Sequence, residues 1–219
     1  MLRGACARPP RAEGQGVLST EAEQVLGALD ATVPLYAVVD GARDRRIRAW
    51  IESTRAPAWC LYRGELPHAL AQAAPYLLRI GRGHPFTEQF FKIGWRNSWG
   101  FLFASAAPSK ELRRHLRRFL RARTEDGRIL AFRYYDPRVL RLYLPTCTKE
   151  ESKAFFGPIS AMAAEAQDRD RFHLFRAGQD GLEARLVEVR GAASEALAPP
   201  AAKAVQPTGR AAPALEALR

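Results

Sequence analysis

The sequence predicts an α/β fold: a mixed, partly parallel sheet flanked by helices, with a small C-terminal helix/hairpin lobe and disordered tails. Three observations predict it. Compact β-rich runs such as Leu35-Tyr-Ala-Val-Val-Asp40 and Trp99-Gly-Phe-Leu-Phe-Ala-Ser105 alternate with stretches of helical spacing, the pattern of layered α/β domains. The strand-length runs close on turn signals, Asp40-Gly41, Arg63-Gly64, Asp126-Gly127 and Asp180-Gly181. The ends change character: residues 1–18 are Gly/Pro/Arg-rich without periodicity, and residues 191–219 hold eleven Ala and four Pro. Such segments bury too little apolar surface to offset the entropy of ordering. The expected organisation is a flexible N-terminal arm (1–18), one α/β domain (19–190) and an Ala/Pro-rich tail (191–219).

Thr20-Glu-Ala-Glu23 has the form of a capping box, opening a short helix through Val25, Leu26 and Leu29. Leu35–Asp40 reads as a buried strand. Residues 43–54 place Ile47, Trp50, Ile51 and Thr54 on one helical face. Ala58-Trp-Cys-Leu-Tyr62 is a second strand. Pro75 breaks a helical stretch, and Tyr76–Ile80 is a third strand. Phe86, Phe90, Phe91 and Trp95 form a helical stripe, and Trp99–Ser105 is a fourth strand. A basic helix starts near Pro108-Ser109, with Leu112, Leu116, Phe119 and Leu120 as its core face. Ile129–Tyr135 reads as a fifth strand. Thr148-Lys-Glu-Glu151 is a second capping box, and its helix stops at Phe155-Phe-Gly-Pro158, with Gly at the C-cap and Pro beyond. Residues 172–175 and 182–189 form a hairpin around Asp180-Gly181.

Across 219 residues, 47% are hydrophobic and 26% charged, the balance of a soluble globular chain. No window offers the roughly 18 apolar residues of a membrane span. Arg3, Arg8 and Pro9 interrupt any apolar leader, so no secretory signal, no membrane partner and a cytoplasmic location are expected. Cys6, Cys60 and Cys147 are distant and odd in number, which argues against a disulfide scaffold; Cys60 is expected to be a buried thiol. The net charge is +11, and 29 of the 34 basic residues are Arg. Residues 109–123 alone hold seven Lys/Arg against one acid, the concentration that a steering or docking patch requires.

Catalytic patterns are missing. There is no phosphate-cradling GxxxxGK[ST], no HExxH and no GxSxG elbow, and the glycine pairs 14/16 and 81/83 lack the dinucleotide-binding context. His68, His84, His115 and His173 share no ligand spacing. A binding protein is expected rather than an enzyme, with no metal and no cofactor.

Two clusters are candidate interaction sites. On a helical period Arg113, Arg114, Arg117, Arg118 and Arg121 flank the apolar stripe. This face reads as a dock for an acidic protein, a phosphate-backbone footprint or a solvated surface; Arg113, Arg117, Arg118 and Arg121 are the candidates for docking. In Phe132-Arg-Tyr-Tyr-Asp-Pro-Arg138, Pro137 makes Asp136 extended. Asp136 there can pair with Arg133 or Arg138, or accept from backbone amides of the turn.

The order of motifs carries a resemblance. Leu35-Tyr-Ala-Val-Val-Asp-Gly-Ala42, Cys60-Leu-Tyr-Arg-Gly64, Ala74-Pro-Tyr-Leu-Leu78, Trp99–Ser105, Leu112-Arg-Arg-His-Leu-Arg117, Phe132–Leu140 and Phe155-Phe-Gly-Pro158 together resemble the Tap/Tec adaptor chaperones of bacterial type VI secretion, over about residues 34–160. The resemblance implies a cytoplasmic protein that holds a secreted effector and helps load it onto a VgrG spike protein. It carries over no catalytic or contact residues. The alternative from another class is a nucleic-acid-binding module using the basic segment 109–123.

Overall fold

A computed structural model describes residues 18–30, 32–123, 126–168 and 170–189. The expected arm, apart from Leu18, and the expected tail lie outside these residues. In chain order the elements are α1 (Thr20–Ala28), β1 (Leu35–Asp40), α2 (Arg46–Ser53), β2 (Ala58–Cys60), α3 (His68–Ala73), β3 (Pro75–Ile80) and α4 (Pro85–Gln89), which runs into a π turn, Phe90–Gly94. Then follow β4 (Gly100–Ala104), α5 (Ser109–Arg117), β5 (Arg121–Arg123), β6 (Ile129–Ala131), α6 (Pro137–Tyr143), α7 (Lys149–Phe156), β7 (Ala161–Glu165), β8 (Arg171–Gly178) and β9 (Gly181–Glu188).

Seven strands form one sheet in the order β2-β3-β1-β4-β7-β8-β9. Every strand pair in it is antiparallel, which corrects the expectation of a partly parallel sheet. The helical crossovers through α2 and α4 do join strands that run in the same direction. Each crossover skips a position, however: β3 fills the gap between β1 and β2, and β1 fills the gap between β3 and β4. Continuous apolar runs such as Leu35–Asp40 report burial on both faces, a property parallel strands usually have and this antiparallel sheet shares.

Alternation along the strands divides the core in two. Ala37, Val39, Leu78, Leu102 and Ala163 point to one face, where Val25, Leu26, Ile47, Ile51, Phe86, Phe90 and Trp99 cover them. Tyr36, Val38, Leu77, Phe101, Phe103 and Met162 point to the other, beneath Leu112, Leu116, Leu140, Phe155 and Phe156. Trp95, Trp99, Phe155 and Phe156 are core residues, as their spacing predicts. Gly94 is fixed by this packing: a Cβ there would lie 2.4 Å from the indole of Trp99.

Several local expectations need correction. Ser19, not Thr20, caps α1, accepting from the Ala22 amide at 3.2 Å; Glu23 pairs instead with Arg82. The box at Thr148 and Glu151 forms as read. The C-terminal hairpin is no separate lobe. β7, a strand the sequence did not announce, gives β8 an edge to join. The basic helix ends at Arg117, so Arg121 lies on β5, opposite Ala131 in a two-stranded ribbon apart from the main sheet. The strand expected over 129–135 stops at Ala131. A turn closes from the Asp136 amide to the Arg133 carbonyl, and Asp136 caps α6 with Pro137 in its first turn, a position where proline's fixed φ favours a helix start. Cys60 is half-buried, because β2 is an edge strand.

Candidate docking face

α5 lays Leu112, His115 and Leu116 against the sheet and turns its cations outward. The His115 imidazole sits edge-on to Phe119, at 5.1 Å between centroids. Its Nε2 lies 2.8 Å from the Phe155 carbonyl. A carbonyl only accepts, so Nε2 carries the proton. Burial pushes the imidazole below its ordinary value, against the opposing pull of that hydrogen bond. Gly157, at φ 49°, makes room for the ring; a Cβ there would lie 2.4 Å from His115 Cε1.

The outward face of α5 borders an open groove of about 510 Å³ lined by Arg63, Pro108, Lys110, Glu111, Arg113, Arg114 and Arg117. Arg117 closes one end. Its Nε donates to the Leu61 carbonyl at 2.8 Å, and its Nη2 donates to Cys60 at 3.2 Å and Tyr62 at 2.7 Å. It thereby satisfies the carbonyls left where the edge strand β2 runs out. Arg117, expected to dock a partner, spends these donors on its own chain. Burial lowers its proton affinity, and the neighbouring Arg113 and Arg63 lower it further. The Arg113 Nε is buried without a hydrogen-bond partner. Arg118 caps the helix end with its guanidinium 5.8 Å from the Phe119 ring centroid, and Arg121 is exposed on β5.

The second predicted cluster divides between two carboxylates. Asp136 accepts from the Arg138 amide at 3.0 Å and pairs with its guanidinium at 2.6 Å. Arg133 pairs instead with Asp40, a residue sequence reasoning left out, at 2.5 Å. Asp40 is only 1% exposed and also accepts from the Ala42 amide. A third buried carboxylate, Glu165 at the end of β7, holds the Ser98 hydroxyl at 2.8 Å and the Ser98 amide at 3.2 Å. Antiparallel pairing explains the convergence: β1 and β7 end where β4 begins, so Asp40, Ser98 and Glu165 gather at one end of the sheet. β2 ends there as well, and the Tyr62 side chain hydrogen-bonds Tyr135, whose phenol burial and Tyr62 together push far up. Tyr62 therefore links the Arg117 clamp to Tyr135.

Arg63 and Lys110 complete the groove; Lys110 belongs to the basic segment 109–123, whereas Arg63 showed in the sequence only as part of the Arg63-Gly64 turn signal. Among the described residues, no group of three or more His, Cys, Asp or Glu could hold a metal ion, and no helix is long and apolar enough to cross a membrane.

The fold and this face define a class: an α/β domain on an antiparallel sheet, presenting a cationic groove along one outer helix. Residues 35–154, from β1 into α7, match the family described as Domain of unknown function (DUF4123). The chain belongs to this family, which is known as the type VI secretion effector adaptor and chaperone (Tap) family. Comparison with curated proteins and with solved structures gives no match.

Proposed function

We propose that this chain is a cytoplasmic adaptor chaperone that binds a type VI secretion effector and helps load it onto a VgrG spike protein, by binding alone and without turnover. The observation that carries the reading is the family match, which runs from β1 into α7 and so includes the whole docking helix. The groove supports it: a helix anchored by Leu112, His115 and Leu116 presents Lys110, Arg113 and Arg114, which have no ion pair among the described residues. Fixed cations of this kind accelerate encounter and orient the complex.

Affinity purification of the tagged full chain from its own bacterium tests the proposal. Effector and VgrG are expected to co-purify, and deletion of the gene is expected to stop secretion of that effector alone. A chain that brings down neither protein, with secretion unaffected by the deletion, refutes it. Recovery of a turnover reaction abolished by one point substitution refutes the binding-only part.

A further inference from the structure

We infer that the groove along α5 receives an acidic, Asp/Glu-rich peptide segment of the effector. This rests on the adaptor reading and names what that surface holds.

The concentration of cations in one groove is the first support. Arg46, Arg48, Arg82, Arg128, Arg133, Arg138 and Arg171 each pair with a carboxylate of this chain. Arg63, Lys110, Arg113 and Arg114 have no such ion pair among the described residues, yet they line one groove with Arg117, against the single acid Glu111. Other cations without an ion pair among the described residues, such as Arg45, Arg79, Lys92 and Arg185, stand elsewhere on the surface; what distinguishes the groove is that five cations line one shared space. The orphaned Nε of Arg113 is the second support, since a buried donor without an acceptor costs stability until one arrives. The third is preorganisation: Arg117 is locked by three carbonyls, and Lys110, Arg113 and Arg114 stand on a helix whose inner face is core. A bound carboxylate therefore meets donors already in place.

The lining favours peptide over nucleic acid. Among the described residues no aromatic side chain lines the groove, and single-stranded nucleic acid is held largely by stacking on such rings.

The test uses the folded full chain and three fluorescent probes: a Glu/Asp-rich decapeptide, its Gln/Asn counterpart, and a ten-nucleotide single-stranded DNA. Lys110→Glu with Arg114→Glu, and separately Arg63→Glu, reverse exposed groove charges without touching the Arg117 clamp. Arg45→Glu with Lys92→Glu is a matched reversal on the opposite face. The acidic peptide is expected to bind about tenfold or more tightly than its neutral counterpart, with affinity falling as salt rises. Groove reversals should abolish that preference and the opposite-face reversal should leave it. DNA binding as tight as the acidic peptide, unchanged peptide binding in the groove variants, or equal loss in the opposite-face variant each overturns the assignment. Effector capture separates the two levels. An effector held equally by wild type and groove variants keeps the adaptor reading and removes the groove; wild type that captures no effector removes the adaptor reading and the assignment with it.

Discussion

Replacing Arg117 with Met should cost stability rather than only partner affinity. The guanidinium serves three carbonyls, and Met retains most of the apolar stem while removing every donor. Leu61 is fully buried, so its carbonyl is left without a partner or water, at about 1–3 kcal/mol. The Cys60 and Tyr62 carbonyls belong to half-buried residues and can rehydrate, so their loss adds about 0.5–1 kcal/mol together. The sum is about 1.5–4 kcal/mol, a fall in Tm of roughly 3–16 °C for a chain of this size. Thermal and urea unfolding followed by circular dichroism measure it, with Arg114→Met as the comparison. Arg114 is exposed and has no ion pair among the described residues, so its substitution should stay within about 0.5 kcal/mol. Arg117→Lys should recover under half of the loss, because one ammonium cannot reproduce the fork. If Arg117→Met melts within 2 °C of wild type, or no lower than Arg114→Met, the clamp is not what holds the end of β2 (threshold set at about the smallest shift expected per kcal/mol).

Three further outcomes are expected. Gly100→Ala places a Cβ 1.8 Å from the Val38 carbonyl, so β1 and β4 must part; soluble yield and Tm should fall far more than for Gly27→Ala, where nothing lies within 4 Å. For Asp136, burial raises the carboxyl's affinity for a proton, but the hydrogen bonds and charge of Arg138 outweigh it and hold the group below its usual value. Its contribution is therefore complete above about pH 4 and is lost as pH falls through the folded value; Asp136→Asn should flatten the acid limb of a stability–pH curve, and an unchanged limb counts against the pair. His115, lowered by burial, contributes stability that is complete above about pH 6.5 and declines as pH falls toward its folded value. An NMR titration should place its midpoint below that of an unfolded reference; a midpoint at or above it contradicts the neutral Nε2–H assignment.

The central strands were legible because their apolar density admits one reading: Leu35–Asp40 and Gly100–Ala104 are buried along their whole lengths. β7 was not, since Ala161-Met-Ala-Ala-Glu165 lacks the β-branched and aromatic residues that mark strands; it is a strand because β4 and β8 flank it. Strand direction was illegible for a related reason, as local pattern reports burial and not which strand arrives next door. Asp136-Pro137 was read as the close of a strand, though the same dipeptide starts a helix when the aspartate caps it. Of the candidate site, charge placed Arg113 in a shared surface. Arg117's inward role depends on the end of β2, 56 residues away in sequence, and Asp40 meets Arg133 only through the fold. Neither distance is written in local spacing.

The skipped positions in the strand order also govern synthesis. β1 leaves the ribosome with two open edges, and its partners β3 and β4 follow some forty and sixty residues later. At usual elongation speeds the most apolar strand of the nascent chain waits roughly 2–8 s for its first neighbour and longer for its second. During that interval the segments of α1, made before β1, and of residues 46–53, made just after it, are the cover within reach. Vectorial emergence thus makes these two segments the early guards of β1, a duty distinct from their place in the finished domain.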